Sequence, residues 1–204
     1  MEWKQVPLGT MQTNCYVLKK EDLSCLIIDP GSEGEKLIQY LKQEELNPVA
    51  VVLTHAHYDH IGAIDTIREE YHIPVYLHEN EKDWLSSPAL NLGNVTVKEA
   101  DELITGEQEL TIGSFTFQIY ETPGHSPGSI SLYFKDDNIV CSGDVLFKGS
   151  IGRSDLPNCN PEHLMKSIHD KLLPLPENTT VLCGHGPVTT IGKEMESNPF
   201  LNGF

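Results

Sequence analysis

Four short apolar runs each end on an aspartate or a histidine, and this pattern constrains the fold of the chain more than any other feature. "SCLIIDPG" ends at Asp29, "VAVVLTH" at His55, "NIVCSGD" at Asp144 and "TTVLCGH" at His185. Runs this short, rich in aliphatic residues and bounded by Gly or Pro, predict strands buried on both faces. In layered α/β proteins the C-terminal ends of such strands present the chemistry. The runs also echo one another in pairs: "IIDPG" resembles "CSGD", and "VVLTH" resembles "VLCGH". That repetition suggests two related halves inside one domain spanning residues 1–204.

Helical patterns lie between the strands. "DHIGAIDTIREEY" sets Ile61, Ile64, Ile67 and Tyr71 on one face, which predicts a helix that begins at Asp59 and His60. Residues 34–44 and 161–172 predict two more, the second capped by Asn160 with Pro161 at its first position. "LTIGSFTFQIYETP" alternates apolar and polar residues around a Gly turn and predicts a hairpin.

At 204 residues and 39% hydrophobic content, the chain buries a full core without disulfide staples. Its five cysteines, Cys15, Cys25, Cys141, Cys159 and Cys183, form no CxxC pair and read as reduced, mostly buried side chains. A cytoplasmic setting follows as the expectation. "MEWKQVPLGT" has no basic segment followed by an apolar run, and no stretch approaches the length of a membrane span. Thirty acidic against fourteen basic residues give a formal charge of −16, which repels a phosphate backbone. Neither nucleic acid nor membrane is an expected partner, and the oligomeric state is left open.

"THAHYDH", residues 54–60, then concentrates three of the nine histidines in seven positions. In an extended segment His55 and His57 point the same way, and a helix start turns Asp59 and His60 toward an adjacent position. Imidazoles so crowded repel when protonated and lose hydrogen bonds when buried neutral. A divalent cation compensates them, because neutral imidazole is its commonest protein ligand. His72, His78, His163 and His169 match no shared ligand spacing and read as solvated side chains.

Three distant residues complete the set: His125 in "TPGHSPGS", Asp144 in "SGD" and His185 in "CGHG". HxHxDH followed in order by His, Asp and His resembles the metallo-β-lactamase superfamily over nearly the full chain. The resemblance implies a four-layer αβ/βα sandwich. It also implies two divalent metals, with His55, His57 and His125 on one, Asp59, His60 and His185 on the other, and Asp144 bridging them. Zinc suits these donors, and iron or manganese is compatible with them. Asp29 matches a position that orients a ligand imidazole by hydrogen bonding. Two cations about 3.5–4 Å apart lower the pKa of a shared water toward about 7, so a hydroxide nucleophile exists without a serine or cysteine. A thiolate leaves without prior protonation, which makes thioesters suitable substrates. An amide would need a proton donor, and Asp59 is the candidate.

"DVLFKGSIGR" resembles the glyoxalase II (hydroxyacylglutathione hydrolase) branch, whose basic residue nine positions after the bridging aspartate contacts the carboxylate of the thiol carrier. Here that residue is Arg153, with Asp155 as an alternative, purely structural partner. Three departures bear on glutathione. Ala56 stands where that branch commonly has a further His, "CGHGPV" replaces "CGHEYT", and nineteen residues follow His185 where the branch carries a helical extension. The expected activity is hydrolysis of a small-molecule acyl thioester, S-lactoyl on a low-molecular-weight thiol being one example. Persulfide dioxygenation on one iron, using His55, His125 and Asp144, is the alternative. β-Lactam hydrolysis, ribonuclease activity and a non-catalytic metal scaffold rank below it. "SSPALNLGN" and "KGSIGRSDLPNCN" are the loops expected to wall the pocket, with Lys148 solvated.

Overall fold

Unbroken burial is what turns the apolar runs into central strands. In the computed structural model, which describes residues 1–201 and so leaves the last three of the expected 1–204 span outside the described residues, the chain forms two compact units. The first comprises residues 1–105 and 111–115, the second residues 106–110 and 116 onward.

The first unit holds β1 (Glu2–Leu8), β2 (Thr13–Lys19), β3 (Ser24–Ile28), α1 (Gly34–Gln43), β4 (Asn47–Val52), α2 (Tyr58–Ile61), α3 (Ile64–Tyr71), β5 (Val75–His78), α4 (Pro88–Asn91) and β6 (Glu102–Ile104). Its strands lie in the order β1-β2-β3-β4-β5-β6, antiparallel through β3 and parallel from β3 to β6. Cys25 and Ile27 of β3 pack with Val51 of β4 beneath Leu37, Ile38 and Leu41 of α1 and Ile64 and Ile67 of α3. Leu26 and Ile28, on the opposite face of β3, are equally buried.

Most of the second sheet belongs to the second unit. It contains β7 (Glu109–Ile112), β8 (Phe115–Glu121), β9 (Ile130–Phe134), β10 (Ile139–Gly143), the small ribbon of β11 (Leu146–Phe147) and β12 (Ser150–Ile151), α5 (Pro161–Ser167), β13 (Thr180–Cys183), β14 (Thr189–Thr190) and α6 (Ile191–Ser197). The order is β14-β13-β10-β9-β8-β7, with β10 and β13 parallel. Val140, Val181, Leu164, Ile168 and Ile191 form its core. In each unit, therefore, two neighbouring parallel strands carry an aspartate after one end and a histidine after the other: Asp29 and His55 beyond β3 and β4, Asp144 and His185 beyond β10 and β13.

The Asn160 cap is present, its side chain accepting from the His163 amide at 3.0 Å with Pro161 at the first helical position. Asn160→Ala is expected to cost about 1 kcal/mol, read as a lowered urea midpoint with an unchanged slope.

Three sequence expectations are corrected. The helix starting at Asp59 is two helices, because the amides of Gly62 and Ala63 donate to Gly31 O at 3.0 Å and Pro30 O at 2.9 Å. The helix from Pro161 passes into a π turn over Ile168–Leu172. His78 is buried rather than solvated, its Nδ1 accepting from the Asn80 amide and capping the 3₁₀ turn Glu79–Glu81. The "SSPALNLGN" segment contains α4, and buried Asn91 orders it by donating to Trp84 O and Val95 O, both at 2.9 Å. All five cysteines are unbridged, and burial pushes the Cys25 and Cys183 thiols up to about 12, where they are inert. Among the described residues no helix is long and apolar enough to cross a membrane.

Candidate metal centre

His55 lies three residues beyond β4, and His57 is the N-cap residue of α2 at φ −67° and ψ 148°, so the strand-to-helix turn gathers His55, His57 and His60. The His55 ring lies 4.7 Å from that of His57 and 4.1 Å from that of His60. His55 and His60 are fully buried, and His57 nearly so.

Their tautomers follow from one carboxylate. Asp29 accepts the Thr54 amide at 2.8 Å and the Thr54 hydroxyl at 2.6 Å, which commits the single hydroxyl proton. Thr54 Oγ1 then accepts from His55 Nδ1 at 3.1 Å, and Asp29 Oδ2 accepts from His60 Nδ1 at 3.0 Å. Both rings carry Nδ1–H, which leaves the lone pair on Nε2, the form in which imidazole ligates a cation. Asp29 performs this role at φ 51°, a left-handed conformation that costs about 1–3 kcal/mol for a residue other than glycine. The sequence expectation for Asp29 thus acquires a geometry: one carboxylate orients two imidazoles, His60 directly and His55 through Thr54. Donor atoms of Asp29, His55 and His60 all fall within 4.8 Å of one another.

Asp59 Oδ2 lies 3.6 Å from His60 Nε2 and accepts the Thr13 hydroxyl at 2.7 Å. Two acceptors therefore face each other. Protonating the rings would relieve that repulsion, but imidazolium groups 4–5 Å apart would repel one another. A cation between the acceptors relieves it without that penalty.

The second unit repeats the problem and makes it sharper. His125 Nδ1 donates to Arg153 O at 2.9 Å, so its lone pair too lies on Nε2. That Nε2 is 3.5 Å from Asp144 Oδ2, and His185 Nε2 is 3.5 Å from the same oxygen. Around a tetrahedral cation with bonds of about 2.0–2.2 Å, neighbouring donors lie about 3.3–3.6 Å apart. One carboxylate oxygen thus sits at a ligand-to-ligand spacing from two imidazoles, as a bridging residue requires. The donors fit divalent metals.

Arg153 is exposed and grips Asp155 through two parallel contacts, Nε–Oδ1 at 3.0 Å and Nη2–Oδ2 at 3.1 Å. That pairing raises the guanidinium pKa and lowers that of Asp155. Lys148 is exposed.

Several supporting residues escaped the sequence reading. Glu81, fully buried, accepts the Ala56 amide at 2.6 Å and so braces the backbone between His55 and His57. The Trp84 ring lies 5.6 Å from that of His57, tilted by 43°. Cys159 donates its thiol to the backbone oxygen of His125 at 2.9 Å. Thr54 opens the histidine motif while Thr13 lies 46 positions from Asp59, and nothing in the sequence distinguishes either from an ordinary threonine.

The metallo-β-lactamase superfamily profile matches residues 8–185. The chain is 55% identical over 210 residues to the probable metallo-hydrolase YqgX of Bacillus subtilis (strain 168), covering 100% of this chain and 99% of that protein. It is 38% identical over 205 residues to the hydroxyacylglutathione hydrolase GloC of Haemophilus influenzae (strain ATCC 51907 / DSM 11121 / KW20 / Rd), covering 97% and 96%. Among solved structures, BLEG-1 B3 metallo-β-lactamase matches with a TM-score of 0.97 and 54% identity over 99% of this chain and 100% of that one. TTHA1623 in a di-iron-bound form matches with a TM-score of 0.86 and 38% identity over 97% and 100%. The two mixed sheets with their helices have the α/β sandwich fold of these structures.

Proposed function

Because this chain belongs to the metallo-β-lactamase superfamily as a metallo-hydrolase, we propose that its two clusters form one centre for a pair of divalent metals that hydrolyses acyl thioesters of a small thiol. His55, His57 and His125 would hold one metal, Asp59, His60 and His185 the other, with Asp144 between them. The observation that carries this reading is the single Asp144 oxygen at 3.5 Å from both His125 Nε2 and His185 Nε2. Such a metal pair would lower the pKa of a bound water to about 7 and polarise the acyl carbonyl.

The protein's own residues do the rest. Asp29 and Thr54 hold His55 and His60 with Nε2 presented, and Arg153 O does the same for His125. Asp59 Oδ2 accepts the Thr13 hydroxyl, which holds the carboxylate beside His60 as a ligand. A leaving thiolate needs no donor, which makes a thioester the substrate suited to this set of side chains. Arg153 would exchange Asp155 for a carboxylate on the thiol carrier, a swap its exposed position makes easy. The 38% identity to GloC supports a thioester substrate.

Zinc is the metal that nitrogen and carboxylate donors favour. The di-iron form of TTHA1623 supports iron as the second choice. A second substrate reading, β-lactam hydrolysis, is favoured by the 54% identity to BLEG-1. It requires protonation of an amine leaving group, a step that a leaving thiolate does not need.

The test is a substrate panel on protein loaded with zinc or with iron. S-lactoyl and S-acetyl thioesters of two thiols are set against a β-lactam and against a persulfide with an oxygen electrode. Thioester turnover well above β-lactam turnover, without oxygen uptake, is expected. Inertness toward every thioester overturns the proposal.

A further inference from the structure

We infer that Glu194 and Asn198, outside every motif of the metal centre, are positioning residues for substrate selection. From α6 and its C-cap they clamp the β11–β12 hairpin so that Phe147 stands as a fixed apolar wall beside His185. The substrates selected would carry an apolar group next to the scissile bond. This inference rests on the thioester reading above.

The hairpin cannot hold itself. It has only two cross-strand pairs, Leu146 with Ile151 and Phe147 with Ser150, and a ribbon that short is unstable alone. Glu194 and Asn198 are almost fully buried and supply what the ladder lacks. Glu194 accepts the Gly149 amide at the hairpin tip at 2.8 Å, the Asn198 side-chain amide at 2.8 Å and the Thr189 hydroxyl of β14. The second proton of the Asn198 amide goes to Ser150 O at 3.0 Å, shared with Phe147 O at 3.4 Å, and its Oδ1 accepts from the Phe200 amide at 3.0 Å. Three donors satisfy a buried carboxylate that ties α6, β14 and the hairpin together, and burial makes each of these bonds stronger than its exposed equivalent.

The tied segment starts and ends at metal-ligand contacts. Asp144 lies two residues before β11, and Arg153, whose carbonyl fixes His125, lies two residues after β12. Between them the half-buried Phe147 ring meets the His185 ring edge-on, at 6.3 Å and 65°. Phe147 packs against the core of the second unit, and the contacts of Asn198 to the backbone oxygens of Phe147 and its cross-strand partner Ser150 hold the ring at one place beside His185, as a wall that sets which acyl group fits requires.

The experiment compares wild type with Asn198→Ala, Glu194→Gln and Phe147→Ala, using phenylacetyl and acetyl thioesters of N-acetylcysteamine. Hydrogen exchange at the Gly149 amide and metal content are measured alongside. Asn198→Ala and Glu194→Gln are expected to speed Gly149 exchange about ten- to a hundredfold, the loss of one charge-assisted hydrogen bond. KM for the phenylacetyl substrate should rise about tenfold with kcat steady and metal content unchanged. Phe147→Ala should reproduce the KM change, and adding Asn198→Ala to it should change little further. Unchanged Gly149 exchange overturns the inference, and so does a fall in kcat with lost metal, which would mark a merely structural support for Asp144. Should Glu194→Gln fail to fold, the other two variants decide. Should wild type cleave no thioester, the thioester reading falls and the clamp stands or falls on Gly149 exchange alone.

Discussion

Asp144→Asn is expected to lower kcat/KM for the best thioester by about 10³-fold, worth about 4 kcal/mol of transition-state stabilisation. Asparagine keeps the shape of the side chain and removes the charge. The two imidazoles 3.5 Å from Asp144 Oδ2 would then face a neutral amide, whose single oxygen lacks the charge to hold two cations. Metal content by elemental analysis should fall from two per chain toward one. The thermal stabilisation of wild type by added metal should shrink in parallel, because metal binding to the native state alone is what raises its midpoint. The metal-free protein should unfold close to the wild-type temperature, since asparagine is nearly isosteric. A variant that keeps two metals per chain and full activity would exclude Asp144 as a bridge.

How far the sequence could lead is clearest in the contrast between the seven candidate ligands and what supports them. His55, His57, Asp59 and His60 share one turn, so their periodicity exposes them. His125, Asp144 and His185 end apolar runs or sit in a Gly and Pro loop, where a polar residue is conspicuous. Glu81 has no such signal: it reads as one more acidic residue in "HENEKDW", and only the fold brings its carboxylate to the Ala56 amide, 25 positions away. The same holds for Thr54, whose role depends on Asp29 arriving from 25 residues upstream, and for Glu194, whose bond to Gly149 spans 45. The helix break at Gly62 was hidden for a related reason. Ile61, Ile64 and Ile67 keep helical spacing through it, while the amides that leave the helix do so for carbonyls of the "DPG" turn. Periodicity reports which face is buried and carries no record of where a hydrogen bond goes. His78 shows the opposite case, because a histidine outside any ligand pattern carries the signature of a solvated side chain and is instead a buried cap.

That turn supplies the second large effect, from the smallest side-chain change available. Gly31 and Gly62 interlock: a Cβ on Gly31 would lie 1.6 Å from the carbonyl oxygen of Asp59, and one on Gly62 would lie 2.5 Å from the carbonyl oxygen of Gly31. Both obstacles are backbone, which cannot rotate aside as a long side chain does. Gly31→Ala must therefore push α2 away from the turn, and α2 carries Asp59 and His60 while the turn carries Asp29, which orients His60. Forced backbone movement of this kind is expected to cost about 3 kcal/mol, at the upper end of overpacking, and to lower the thermal midpoint by about 6–12 °C. A misplacement of about 1 Å at the ligands should reduce kcat about 10²-fold in the fraction that remains folded. Gly106→Ala separates steric conflict from backbone preference. At φ 64° with nothing within 4 Å of the added methyl, it should cost only the left-handed penalty of about 1–2 kcal/mol and leave metal content intact. If Gly31→Ala behaves like Gly106→Ala in both midpoint and metal content, the close approach of the "DPG" turn to α2 is not what holds Asp59 in place.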